Sequence, residues 1–417
     1  MLANLTTPLL GMVATAVIGR LGEASLLGGV AMASVAFDCV FWLFGFLRMG
    51  TVAFTAQALG ANDPVEMRAV LARALLLSAV IGAALLVLQL PLASLIFGLM
   101  GGSEAVQSAA KTYFHVRLWA APFVLGNYAM LGWLVGQARA KLALAIQVTI
   151  NLVNIAATTS FVLGLGMGVA GAAAAAIIAE AVGLVMGIAI AWRLLGGRID
   201  LPRGVLLDRA KLMHMLAVNR DIMVRTAALI GAFLLFTSFG ARAGDVTLAA
   251  NAVLNNFIMI GSFFLDGLAN AAEQLCGRSF GARDKVNFSR AMRLALAWGF
   301  SFGAAVTIAF LIGGTVLIDI TTTSTEVRAA ARDFMWLAAL APVCGVLAYC
   351  YDGIYIGATW ARDMRNLMIV AFAIYLAALW LSTPFGNTGL WLSLLLFLLA
   401  RGLLQAARTP VLLRAAF

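Results

Sequence analysis

Charge of either sign is scarce in this sequence. Its 28 Lys and Arg and 18 Asp and Glu make up only 11% of 417 residues. A water-soluble fold of this length needs far more polar side chain to cover its surface, so that class is excluded. Histidine occurs only as His115 and His214, and neither has clustered partners. The four cysteines, Cys39, Cys276, Cys344 and Cys350, all lie in apolar segments and form no C-x-x-C pair. Neither a zinc site nor a disulfide framework is suggested. The sequence has no G-x-x-x-x-G-K-[ST], no H-E-x-x-H and no Ser/His/Asp set. ATP-driven and hydrolytic chemistry therefore have no visible seat, no cofactor is expected, and energy would come from an ion gradient.

Apolar residues dominate instead, at 63% of the chain with a mean hydropathy of +1.00. Runs of about 20 apolar residues recur along the whole length, as a bilayer requires. The alternating segments of about 10 residues that mark a membrane β-barrel do not occur. The pattern predicts an all-α polytopic membrane protein. Breaks at Gly, Pro and charge clusters delimit twelve segments, at 1–20, 26–59, 65–100, 104–138, 140–163, 168–196, 216–241, 244–281, 285–318, 325–357, 361–383 and 387–412. The start, "MLANLTTPLLGMVATAVIGR", lacks a basic leader and reads as a first span of barely sufficient length.

The net charge of +10 falls between the apolar runs rather than on one soluble face. It therefore signals orientation in a bilayer and not a nucleic-acid partner. One set of connections carries Arg68 and Arg73, Arg139 and Lys141, the cluster from Arg193 to Lys211, the cluster from Arg278 to Arg293, Arg362 and Arg365, and Arg408 and Arg414. The alternate set carries only Arg20, Lys111, Arg242, Arg328 and Arg332. Both termini are accordingly expected in the cytoplasm of a plasma (inner) membrane protein.

The longest polar link, residues 193–215, separates two halves that echo each other at a constant offset. "ALGANDPVEM" at 58–67 matches "SFGARDKVNF" at 279–288, and Pro122 falls over Pro342 in a longer match. Two six-helix repeats are expected, residues 1–205 and 206–417, related by a pseudo-two-fold axis along the membrane normal with a cavity between them. That arrangement suits a secondary transporter.

Polar residues inside the spans mark candidate sites, because charge at mid-bilayer costs about 2.5–3.5 kcal/mol on insertion scales. Asn255, Met259, Ser262, Asp266, Asn270 and Glu273 share one helical stripe. Asp352 has Tyr349, Tyr355 and Thr359 on its face. Each of these groups is either a binding edge or an interhelical hydrogen-bond seam. Asp38 and Arg48 lie on one helix but about 80° apart around its axis, so Arg48 is expected to meet a carboxylate of another helix. Gln147, Asn151, Asn154 and Thr158 form an uncharged stripe suited to hydrogen bonding with substrate or to helix packing. Pro8 is positioned to kink the first helix. Asp221 and Arg225 have the spacing of an i,i+4 pair at the membrane interface. Nothing in the sequence assigns a role to Glu180.

The stretches "TTPLLGMVATAVIGRLG", "FLRMGTVAFTAQALGAND", "LAANAVLNNF", "FFLDGLANAAEQLCGRSFGARD" and "DGIYIGATWARDMRN" resemble the multidrug and toxic compound extrusion (MATE) family, DinF-like branch, over essentially the whole chain. The resemblance implies two six-helix bundles in a V that open alternately to each side. It also implies export of organic, often cationic, compounds against inward H⁺ or Na⁺. Asp266 and Asp352 match family positions. Two other positions depart from the pattern: Ala14 and Thr158 stand where the branch carries the two acids of its first-lobe cation site.

The reading is a monomeric, bilayer-embedded, cation-coupled antiporter for small organic molecules, and not an enzyme. Alternatives are a flippase for lipid-linked or amphipathic cargo and a relative that has lost ion coupling and serves as a sensor or partner. A membrane-embedded enzyme would need a nucleophile or metal cluster. Candidate binding residues are Asp266, Asp352, Asp38, Arg48, Asn154, Asn151, Tyr355, Asn270 and Glu273. The charge asymmetry yields a first test. A cysteine placed in residues 193–215 should react with an impermeant maleimide only from the cytoplasmic face. Reaction from the outside only would overturn the orientation and the repeat alignment together.

Overall fold

The structure is a computed structural model, and it describes residues 24–100, 103–197 and 203–417. The predicted first span at 1–20, with Thr7, Pro8 and Ala14, lies outside the described residues. The remainder is nearly all helical: α1 (Ala24–Leu43), α2 (Phe46–Gly60), α3 (Pro64–Val87), α4 (Gln89–Met100), α5 (Glu104–Leu118), α6 (Ala121–Gly136), α7 (Ala140–Thr159), α8 (Gly168–Leu194), α9 (Arg203–Leu206), α10 (Arg209–Arg242), α11 (Asp245–Gly281), α12 (Lys285–Thr321), α13 (Thr325–Gly357), α14 (Ala361–Leu381) and α15 (Gly386–Ala416). Among the described residues ten helical spans are long and apolar enough to cross a bilayer. The pair α5 and α6, bent by 54°, makes an eleventh if counted as one. The expected total of twelve is not reached within the described residues.

Helix lengths follow from the apolar runs. The 37 residues of α12 span roughly 55 Å at 1.5 Å each, well beyond a hydrocarbon core of about 30 Å, so this helix must tilt or project. Large apolar side chains such as Ile312, 79% exposed, cover its outward face, as lipid contact demands. The segment expected at 26–59 is one span, Leu26–Gly60, with a local turn at Phe44–Gly45, where the bonds Gly45 N–H to Trp42 C=O and Leu47 N–H to Phe44 C=O replace the regular ladder. The expected angle between Asp38 and Arg48, which assumes one straight helix, therefore does not hold.

The chain divides between Met215 and Leu216 into two compact units, the first holding most residues before that point and the second all those after it. Inside the units, the echo between the two halves is written in the backbone. Asn62 and Arg283, equivalent in the repeat, both adopt positive φ, of 53° and 52°. Asp63 and Asp284, which follow them, each cap a helix by accepting the backbone N–H of the third residue on, at 2.9 Å. The Asn287 backbone N–H, then its side chain, hold the Asp284 carboxyl below the usual carboxylate range. Ala138 and Thr359, equivalent in the same way, close α6 and α13 with φ of 60° and 55°.

In the first unit, Arg73 is buried and ties α3 to the link between the units' sequences. It donates to the carbonyls of Val205 and Leu206 and pairs with Glu66 at 2.7 Å. Lys211 reaches the same Glu66 at 2.6 Å. The apolar core of this unit centres on Trp133, Leu134, Ile146 and Met130, with the Trp133 indole donating to Met67 C=O. That of the second unit centres on Phe257, Trp391, Phe397 and Tyr375.

Close helix crossings recur at matching sites. A Cβ on Gly132 of α6 would strike the Arg48 carbonyl of α2, and one on Gly353 of α13 would overlap the Ala269 carbonyl of α11. Both partners in the second crossing are the repeat equivalents of those in the first. Overpacking of this kind costs about 1–3 kcal/mol. Gly353→Ala should therefore lower the unfolding temperature of the detergent-solubilised protein. Gly313→Ala, where a Cβ meets nothing within 4 Å, should leave that temperature unchanged or raise it. Equal behaviour would discount the crossing.

Candidate functional site

Four helices of the second unit converge on one buried carboxylate. Asp352 of α13 is 5% exposed. Its Oδ2 accepts from Arg401 of α15 at 2.6 Å and is also in contact with Arg225 of α10. Its Oδ1 accepts from Gln405 of α15 at 2.8 Å. Arg225, Arg401 and Gln405 are themselves buried. Each of the three keeps a buried polar atom without a hydrogen-bond partner: Nε of both arginines and Oε1 of Gln405.

Asp266 of α11 completes the cluster. It lies within electrostatic reach of both guanidinium groups and of Tyr349. Asp266 is half-buried, unlike Asp352. One turn before it, Ser262 shares a 2.6 Å hydrogen bond with the Tyr349 hydroxyl. Two turns before it, Met259 is 47% exposed. The stripe predicted on α11 thus runs from an open edge at Met259 to an ionic cluster at Asp266. Two arginines and two aspartates give that cluster no net charge. Asn270 is half-buried further along, and Glu273 is buried where the backbone of α11 meets Gly357 of α13.

Several expectations need correction. Tyr355 does not line a binding space: it is wholly buried, and its hydroxyl donates to the Gln405 carbonyl at 2.8 Å. It fixes the turn of α15 that presents Gln405 to Asp352, so its effect on the carboxylate is indirect. Thr359 has left the helix, in the left-handed turn after α13. Asp221 and Arg225 do not pair with each other. Asp221 Oδ1 takes Arg365 of α14 at 2.6 Å and Arg220 at 2.9 Å, while Arg225 turns to Asp352.

The first unit holds a looser polar set. Asp38 of α1 is exposed, with Arg117 of α5 as its electrostatic neighbour. The Arg117 guanidinium donates to Tyr113 at 3.0 Å and lies 4.7 Å from the centre of the Phe37 ring. Glu180 of α8 accepts from Asn127 of α6 at 2.7 Å and also has Arg117 in reach. Arg48 acts electrostatically on Tyr128, alongside Glu180, Asp38 and Arg117. On α7 the uncharged stripe bonds to itself: Gln147 donates to Asn151 at 3.4 Å and Thr158 to Asn154 at 3.2 Å.

Sequence reasoning missed Arg401 and Gln405, gave Arg225 to the wrong partner and left Glu180 without a role. A rarity signal was available for both arginines, since each sits within an apolar span where charge is costly.

A family model named MatE matches the chain twice, over residues 1–159 and 222–381. The chain is 38% identical to DNA damage-inducible protein F of Escherichia coli (strain K12), over 97% of this chain and 88% of that protein. It is 26% identical to the chloroplastic protein DETOXIFICATION 44 of Arabidopsis thaliana, over 96% of this chain and 78% of that one. Among solved structures, a MATE protein in the bent conformation superposes with a TM-score of 0.90 at 19% identity, covering 99% of this chain and 93% of that chain. A MOP superfamily transporter from Pyrococcus furiosus, described as having a binding pocket of reverse polarity that suggests a different function, superposes at 0.88 with the same identity and coverage. At such identity these two likenesses bear on the fold alone.

The cluster's pairing predicts an order of stabilities. Asp352→Asn takes away the carboxylate that touches both guanidinium groups and leaves them only the half-buried Asp266. Arg401→Gln leaves one guanidinium on one carboxylate. Removing a needed partner from a buried pair costs about 3–5 kcal/mol. Asp352→Asn should therefore lower the unfolding temperature in detergent clearly more than Arg401→Gln. The reverse order would show that Asp352 is not the group that balances the two arginines.

Proposed function

The chain belongs to the MatE family, whose members are membrane transporters rather than enzymes, and from that premise we propose that it is a secondary active antiporter. It exports organic, cationic drugs or toxic metabolites by alternating access, against inward H⁺ or Na⁺, in the bacterial inner membrane with both termini in the cytoplasm. The observation that carries the reading is the pair of carboxylates, Asp266 half-buried and Asp352 buried, on adjacent helices inside an apolar unit.

Coupling needs a charged group whose affinity for the ion differs between conformations. Thr158 cannot titrate, and its hydroxyl is committed to Asn154. Within the cluster of the second unit, Asp266 is the carboxylate that keeps partial exposure. It supports placing coupling in the second unit, with the first serving mainly as substrate wall. A flippase for anionic lipid-linked cargo would call for surplus positive charge. Arg48 and Arg117 are instead matched in number by Asp38 and Glu180, as Arg225 and Arg401 are by Asp266 and Asp352. The uncoupled-relative reading draws on the same Thr158.

Efflux from proteoliposomes under an imposed pH or Na⁺ gradient tests the proposal. The unaltered protein should export a lipophilic cation under at least one of the two gradients. Asp266→Asn should lose at least about ten-fold of that gradient-driven rate, within the range of a coupling free energy of about 1–3 kcal/mol. Full gradient-driven efflux by Asp266→Asn would move coupling elsewhere. No gradient-driven efflux by the unaltered protein would favour the uncoupled relative.

A further inference from the structure

Asp352, a buried carboxylate of the second unit, is already occupied by cations that belong to the chain. Two guanidinium groups share its Oδ2, although a carboxylate has two oxygens to offer. Oδ1 is left to the neutral amide of Gln405. The Nε atoms of Arg225 and Arg401 have no hydrogen-bond partner, so neither guanidinium group is fully used where it stands. Asp352 alone matches one of the two arginines, and Asp266 offsets the other from within electrostatic reach of both.

Only one of them has a carboxylate at pairing distance along its own helix. Asp221 sits one helical turn before Arg225 on α10, at the i,i+4 spacing with the acid on the N-terminal side, which favours a pair. Asp221 is buried, and both of its ion pairs go to Oδ1. One of those partners, Arg220, is 62% exposed and can turn to water. Arg401 has no acidic residue within four positions on α15. Arg225 is thus the arginine with somewhere to go.

We propose that Arg225 is an exchangeable internal cation, which holds Asp352 in the unloaded protein and moves one turn to Asp221 when a monovalent lipophilic cation takes its place. The charge balance closes. Before exchange Arg225 and Arg401 offset Asp352 and Asp266. After it the cargo and Arg401 do so, while Arg225 replaces the exposed Arg220 on Asp221. The groups around the exchange are Arg401, Asp266, Tyr349 and Gln405 at one end and Arg220 and Arg365 at the other. A ligand can shift such a two-state pair only by binding one state better, and here the better state is the one with Arg225 gone. The inference rests on the cation-export reading and adds the residue with which cargo competes.

Equilibrium binding of tetraphenylphosphonium to purified protein in detergent, without any gradient, tests it. Arg225→Gln removes the competitor and should bind the probe about five-fold or more tightly than the unaltered protein. A residue that merely braced the fold would do the opposite. Asp221→Asn removes the landing site and should bind more weakly by a similar factor. If Arg225→Gln does not yield folded protein, Asp221→Asn decides alone, and unchanged binding there overturns the exchange. Binding by the unaltered protein that is equalled or weakened in Arg225→Gln overturns the exchange and leaves the export reading standing. No binding by the unaltered protein or either variant overturns both.

Discussion

A charge inside a bilayer must be paired, and the second unit is organised by how it meets that demand at Asp352. The carboxylate is contributed by α13, and its partners come from α10 and α15, with Asp266 of α11 in electrostatic range of both arginines. Four helices are thereby held in one register by groups that none of them could bury alone. Apolar packing around Phe257 and Trp391 supplies cohesion but little direction, since lipid is as apolar as the core. The ionic cluster supplies direction, because a slipped helix would leave a charge uncompensated at several kcal/mol.

The two units apply one backbone plan to different chemistry. Helix caps at Asp63 and Asp284, left-handed turns at Ala138 and Thr359, and close crossings at Gly132 and Gly353 repeat from one unit to the other. The side chains do not repeat. In the first unit Gln147 and Thr158 of α7 donate to Asn151 and Asn154 along their own helix, and Asp38 is exposed. In the second, polar groups reach across helices. A charged group that answers to partners on three other helices is well placed to link ion binding to helix movement.

Much of this architecture is legible in the sequence alone. The spans, the break near the middle and the repeat follow from hydropathy and self-similarity, which are properties of long segments. Asp266 and Asp352 stand out because a carboxylate in an apolar run has few bland explanations. Partners are far less legible. Arg401 and Arg225 lie on either side of Asp352 in the chain, on helices well removed from it, and no local rule connects them. The local rule that does apply, pairing Asp221 with Arg225, fails because Arg365 comes from another helix to hold the acid. The side of α13 that carries Tyr355 suggests a cavity wall, yet that side faces α15. The turn at Gly45 is hidden because Gly inside an apolar run is common in membrane helices and does not by itself end one.

The central claim is that position, and not pairing alone, matters in the cluster at Asp352. Exchanging the pair, Asp352→Arg with Arg401→Asp in one protein, separates the two. The swap keeps one carboxylate against one guanidinium but moves the acid to α15. Gradient-driven efflux of a lipophilic cation from proteoliposomes, measured beside the unfolding temperature, is the decisive reading. The account predicts an unfolding temperature well above that of either single change, with efflux lost. Efflux at the unaltered rate in the swapped protein would contradict it and reduce the cluster to a seam that holds helices together.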